Sequence, residues 1–289
     1  MSNNLYNIMV PVDFSGKNKW AIAKAVELAN TFHCNIHLVH VLHRPIIPFI
    51  PIDRTDFTPY ESTAELHTCR KKLEALKSAY SSQLCSNGKI EISVLQGTMN
   101  KTLPKYIRQY EMDLVITGLS KFNLLHRIIS SVSISRLVRK TNIPVLAVRS
   151  SGLISHFKKI VLPLYQDIPL RSIKMATMLG RHFKSTVYLV SLRNNEPGQP
   201  NILSNTLEVI QSLSTIPVQS ILLEGKNLAK STLDFSRKIN ADLIMVNPVK
   251  EFRLPGLWNR ITNKILSYGS KIPVMTMEQK TTEKQQEAL

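Results

Sequence analysis

Acidic residues, glycine and cysteine are all scarce in this chain: 20 Asp and Glu stand against 37 Lys and Arg over 289 residues, with 10 glycines and 3 cysteines. Cys34, Cys69 and Cys85 are odd in number and form no Cys-x-x-Cys pair, which excludes a disulfide framework and a zinc site and leaves plain reduced thiols. No apolar run reaches the roughly 18 residues of a membrane span, so membrane insertion is not expected. Met1-Ser2-Asn3-Asn4 lacks the charged flank and apolar segment of a secretory signal, and a cytoplasmic protein is expected. No Gly-x-x-x-x-Gly-Lys loop, no Ser-His-Asp order and no paired catalytic carboxylates occur, so the expected catalytic residues are none and the chain reads as a non-enzyme. His33, His37, His40 and His43 resemble a metal cluster, but on a strand His37 and His43 point to one face and His40 to the other, so no metal site is expected.

The formal net charge is +17, divided as +9 over residues 1–150 and +8 over the rest. A dedicated nucleic-acid reader concentrates its charge on one element and adds aromatics or a known motif. Here the excess is spread evenly, so a specific nucleic-acid function is not expected, while weak attraction to polyanions follows from charge alone.

What the chain does contain is the same segment order twice. Tyr6-Asn7-Ile8-Met9-Val10-Pro11-Val12-Asp13 opens the first half, and Lys159-Ile160-Val161-Leu162-Pro163-Leu164-Tyr165 the second. Asp113 and Asp242, Gly118 and Asn247, and Pro144 and Pro273 are each separated by 129 positions, which argues for a duplication. Short β-rich runs alternate with segments of helical period, the pattern of repeated βαβ units around a parallel sheet. Strands are expected near 6–12, 35–42, 90–95, 113–117 and 144–149, then near 159–164, 186–192, 218–223, 242–246 and 273–277. Ala21, Ala25, Leu28, Ala29 and Phe32 set the first helix at about 17–32 with Ser15 as its cap, and helices of the second half start near 169, 202, 227 and 259. The domains read as 1–150 and 155–277, joined by a linker at 151–154 and followed by a polar tail at 278–289. Residues 44–59 form a Pro-punctuated apolar loop, read either as a lid or partner-contacting arm or as a loop folded on its own domain.

In an open parallel sheet, ligands lie beyond the carboxyl ends of the strands where strand order reverses. Asp13 and Gly118 end the first and fourth strands, and if these are neighbours both face one crevice. Gly118 can bring backbone close to a phosphate, the helix starting near Ser130-Ser131 offers unpaired N–H groups, and Asp13 can accept from a ribose hydroxyl or hold a metal ion. Lys121 and Arg127 supply cations for an anion.

Val-Pro-Val-Asp-Phe-Ser at 10–15, Asp-Leu-Val-Ile-Thr-Gly at 113–118 and Ser130-Ser131-Val132 running on to Ile-Pro-Val-Leu-Ala-Val at 143–148 resemble the universal stress protein family, as a tandem pair covering nearly the whole chain. The resemblance implies an α/β fold of two tandem open-sheet domains, each a five-stranded parallel sheet of order 3-2-1-4-5 with helices on both faces. It also implies intrachain pairing of the halves through their last strands, Ile143–Val148 and Ile272–Met277, with a homodimer and unidentified protein partners as further possibilities. The nucleotide-binding branch carries Gly, two residues, Gly, nine residues, then Gly-Ser or Gly-Thr. Lys121 stands at the second glycine, and Ser130-Ser131 replaces Gly-Ser one residue early. By resemblance, Asp13 and Ser131 match contacts to ribose and phosphate, and Val41 the contact to the base. The candidate nucleotide set is thus Asp13, Val41, Gly118, Lys121, Arg127, Ser130, Ser131 and Val132. The second half has Asn247-Pro248, Asn259-Arg260 and no acid at Leu164-Tyr165.

The expected function is therefore a non-enzymatic stress-response regulatory or interaction module with degenerate nucleotide sites and no required cofactor. The alternative is an adenine-nucleotide sensor using ATP, with Mg, in the first domain only. Asp13→Ala is expected to spare the fold and affect ligand binding alone.

Overall fold

The computed structural model describes residues 4–43, 60–85, 87–119, 134–149, 156–165, 167–193, 202–247 and 271–278. The loop 44–59, the linker 151–154, the helix expected near 259 and the tail beyond residue 278 lie outside the described residues. Two compact units divide between Thr141 and Asn142.

The first unit runs β1 (Asn7–Pro11), α1 (Asn18–Phe32), β2 (Asn35–Leu42), α2 (Tyr60–Ser81), β3 (Ile90–Gln96), α3 (Met99–Gln109), β4 (Leu114–Gly118) and α4 (Ile134–Thr141). Its strands lie in the order β3-β2-β1-β4, all parallel. Strand alternation sorts the helices onto both faces. His37 and Ser93 both reach Tyr106 of α3, while Ile92 and Val94, on the opposite face, border α2. The core is aliphatic: Ile8, Val10, Leu28, Ile36, Leu38, Leu73 and Leu103 are wholly buried, each worth roughly 1.5–3 kcal/mol relative to exposure.

The second unit runs β5 (Val145–Val148), β6 (Lys159–Pro163), α5 (Leu170–Phe183), β7 (Thr186–Leu192), α6 (Ile202–Leu213), β8 (Val218–Leu223), α7 (Leu228–Lys238), β9 (Leu243–Val246) and β10 (Val274–Thr276). Parallel strands in the order β8-β7-β6-β9-β10 give the expected 3-2-1-4-5 arrangement. β5, the last strand of the first repeat, falls with this unit and pairs antiparallel with β10, Val274 opposite Ala147, Met275 opposite Leu146 and Thr276 opposite Val145. The last strands of the two repeats therefore pair, as the resemblance implies. Arg171 of α5 secures both, its guanidinium donating to the carbonyls of Asn142 at 2.6 Å and Glu278 at 2.8 Å and to the Asn142 side chain.

The duplication is visible in backbone detail. Asp113 and Asp242 each sit before a fourth strand and accept from the backbone N–H that opens the first, Asn7 at 3.0 Å and Lys159 at 2.9 Å. Gly97 and Gly225 both have φ in the region that disfavours side chains, 131° and 122°, and a Cβ on either would sit within 2.8 Å of a following hydroxyl, Thr102 or Ser231.

Ser15 does not cap α1: the N-cap position is Lys17, without a side-chain hydrogen bond, because the Ser15 hydroxyl is turned onto Asp13. Of the cysteines, all three are free, and burial pushes the Cys34 thiol up to about 12, which keeps it protonated. Among the described residues no helix is long and apolar enough to cross a membrane, and no three His, Cys, Asp or Glu side chains converge to hold a metal ion.

His37, buried in β2, meets the Tyr106 hydroxyl through Nδ1 at 3.0 Å, and that hydroxyl also meets Ser93 Oγ at 3.0 Å. Burial lowers the His37 pKa, with the Glu91 charge opposing. The unfolded chain therefore binds the proton more readily, and the stabilising contribution of neutral His37 is complete above about pH 6.5 and lost as pH falls toward the depressed folded value. His37→Gln is expected to flatten the decline in denaturant midpoint between about pH 7 and pH 5; an unchanged slope would mean that His37 is not proton-linked to folding.

Candidate functional site

The register brings the carboxyl ends of β1, β2 and β4 to one end of the first sheet, Ile8 and Met9 lying opposite Leu114 and Val115, and Pro11 opposite Val39. Asp13 follows β1, Val41 lies near the end of β2, and Gly118 ends β4. These three candidates lie at the same end of the sheet. Lys121, Arg127, Ser130, Ser131 and Val132 lie outside the described residues.

The Asp13 carboxylate already has partners from its own chain. Oδ1 of Asp13 accepts from the Ser15 N–H at 3.0 Å and the Ser15 hydroxyl at 2.5 Å, and Oδ2 pairs with Lys17 Nζ at 2.8 Å. The Asp13 N–H donates to Asn18 Oδ1, and Asn18 Nδ2 donates to the Pro11 carbonyl. Phe14, at φ 57°, makes the tight turn that folds this loop back. Its ring lies 4.5 Å from that of His40, whose Nδ1 meets the Val12 carbonyl at 2.7 Å, and the Lys72 ammonium lies over the Phe14 ring, 5.4 Å from its centroid. Partial burial raises the Asp13 carboxyl, but hydrogen bonds from Lys17 and Ser15 and the Lys17 charge outweigh it and hold it below the ordinary aspartate value.

Gly118 has a different use from the one its position suggests. A Cβ there would lie 2.2 Å from the Lys17 carbonyl oxygen and 2.9 Å from its carbonyl carbon. The room left by the missing side chain is taken by the turn that starts α1. Val41 is 5% exposed and packed in the sheet. Among the described residues the Asp13 carboxylate is held by Ser15 and Lys17, and the space beside Gly118 is taken by the Lys17 carbonyl.

The second unit closes the same position differently. Asn247, following β9 where Gly118 ends β4, accepts at Oδ1 from the wholly buried Ser172 of α5 at 2.5 Å. Tyr165, which follows the end of β6, is exposed; Pro248, Asn259 and Arg260 lie outside the described residues. Ser15, Lys17 and Ser172 are the contributors that sequence reading missed. An acid four residues before a lysine is a signal for the Asp13 and Lys17 pair, whereas nothing local marks Ser172 as the partner of a residue 75 positions away.

A separate concavity of about 390 Å³ lies between α2 and the edge strand β3, lined by Thr63, Leu66, His67, Arg70, Ile92 and Val94. It is lined by none of the strand-end candidates.

The model of the universal stress protein family matches residues 5–149. The chain belongs to the universal stress protein family. The tandem arrangement is matched over its full length by a universal stress protein from Archaeoglobus fulgidus, 14% identical with a TM-score of 0.76, over 96% of this chain and 97% of that one. A putative universal stress protein from Pseudomonas aeruginosa is 15% identical with a TM-score of 0.57, covering 96% and 94%. The cytoplasmic domain of a prokaryotic cation chloride cotransporter is 13% identical with a TM-score of 0.54, covering 95% and 96%. At such identities the likeness is one of fold. Among curated proteins no relative matches.

Gly118→Ala is expected to cost about 3 kcal/mol, at the upper end of ordinary overpacking because the obstructing atom is backbone. Gly16→Ala, where nothing lies within 4 Å of the added carbon, is expected to change stability by no more than about 0.5 kcal/mol. Urea titration of both variants checks the pair, and equal stabilities would show that the Lys17 carbonyl does not press on position 118.

Proposed function

We propose that this tandem universal stress protein works without chemistry of its own, as a cytoplasmic stress-response regulatory or interaction module whose strand-end crevices are closed by its own residues. The observation that carries this reading is the occupation of Asp13 by Ser15 and Lys17. The carboxylate that would take a ribose hydroxyl has three donors already, one of them charged, so a ligand competes with its own loop for it. The Asn247 and Ser172 hydrogen bond supports the same reading for the second half. An enzymatic role would require a general base beside a reacting group; among the described residues the acid at this strand end of the first unit is Asp13, held by Lys17. The repeat itself supports a scaffold role, since two copies of one fold present two sets of helix faces to protein partners, including a second copy of this chain.

The test is native mass spectrometry of the purified protein followed by isothermal titration with ATP and magnesium. The expected outcome is no copurifying nucleotide and no binding heat at millimolar ATP. A stoichiometric adenine nucleotide would overturn the reading in favour of a sensor built on Asp13 in the first domain.

A further inference from the structure

We propose that the outer face of α3 and α4 binds the phosphate backbone of double-stranded nucleic acid, without reading its sequence. Neither helix contains an acidic residue, and between them they present Lys101, Lys105, Arg108, Arg139 and Lys140 as exposed side chains. Lys101, Lys105 and Arg108 stand at helical spacing on one stripe of α3, because Leu103, Tyr106 and Ile107 turn the other side into the core. Over seven residues that stripe is about 10 Å long.

The second helix adds to the same face. Lys140 Nζ donates to the Asn100 carbonyl at 3.0 Å, and Arg108 Nη2 approaches the Lys140 carbonyl at 3.5 Å. These bonds lock the helices together and bring Lys140 beside the stripe. They end on carbonyl oxygens, so they cancel no charge. Among the described residues, Lys101, Lys105, Arg108 and Lys140 take part in no ion pair. On helices that carry acids, exposed cations find partners, as Arg70 does in Glu74 and Arg237 in Asp234.

The chemistry of the face chooses among polyanions. An anionic membrane surface is held by an exposed apolar stripe beside the charges, and the apolar residues of α3 are buried. A single strand is held by aromatic platforms; the exposed positions of α3, Lys101, Lys105, Arg108 and Gln109, include none, and the ring of Tyr110, which follows the helix, is already stacked 4.4 Å from that of Tyr106. What remains is charge in a fixed array, suited to the dense and regular phosphates of a duplex. The formal net charge of +17 adds long-range attraction.

The test is fluorescence anisotropy with a labelled 24-base-pair DNA duplex between about 50 and 200 mM NaCl, where engagement of four cations predicts about a hundredfold loss of affinity. Lys101→Gln with Lys105→Gln is expected to reduce the slope of log affinity against log salt by about 1.8. The control is Lys226→Gln with Lys230→Gln, which removes the same charge from exposed positions in the second unit. Equal losses in the two double variants would overturn the assignment, since whole-molecule charge would then account for binding. Tighter binding to a single strand of the same length, to a polyglutamate peptide or to anionic vesicles would also overturn it, each naming a different partner. Circular dichroism of the variants confirms that the helices persist.

Discussion

The close approach of the Lys17 carbonyl to Gly118 sets the character of this protein. Helix α1 enters over the end of β4 at a distance that only a missing side chain permits. That approach fixes the β1–α1 loop, and the loop in turn holds Ser15 and Lys17 against Asp13. A carboxylate at the end of a central strand is usually read as a ligand group. Here it organises its own loop, and its depressed pKa follows from the donors that surround it. The same contacts that stabilise the sheet-to-helix connection are the ones that hold the Asp13 carboxylate.

The second half reaches the same end by other residues. Asn247 replaces Gly118 and brings a side-chain amide into the position, and buried Ser172 satisfies it. Burying an amide oxygen unpaired costs roughly 1–3 kcal/mol, so Asn247 depends on its Ser172 partner. Duplication kept the parts that specify the fold, such as Asp113 and Asp242 at the strand starts. It let the strand ends diverge. Antiparallel pairing of β5 with β10 buries both of these short strands, and Arg171 ties their flanking carbonyls to α5.

Much of the fold is legible in the sequence because its signals are local. The β-rich runs at 35–42, 186–192 and 218–223 coincide with β2, β7 and β8, and the helix start expected near 202 coincides with α6. The site is less legible, because the relevant partners are set by tertiary approach. Glycine at position 118 announces close backbone contact but does not say whether the backbone belongs to a ligand's surroundings or to Lys17. Ser15 carries the chemistry of a helix cap, and the nearby Asp13 carboxylate competes for its hydroxyl and wins. The expectation that Asp13→Ala spares the fold also changes, since Asp13 holds both Ser15 and Lys17. Arg171 and Asn142 meet across 29 positions, a contact that no local pattern encodes.

The central claim is that Asp13 is committed to its own chain. Carbon-detected NMR titration of the Asp13 carboxyl, repeated with ATP and magnesium, tests it most directly. The account predicts a pKa below the ordinary aspartate value that rises in Lys17→Met and does not move when ATP is added. An ordinary value insensitive to Lys17, or one displaced by ATP, would contradict it.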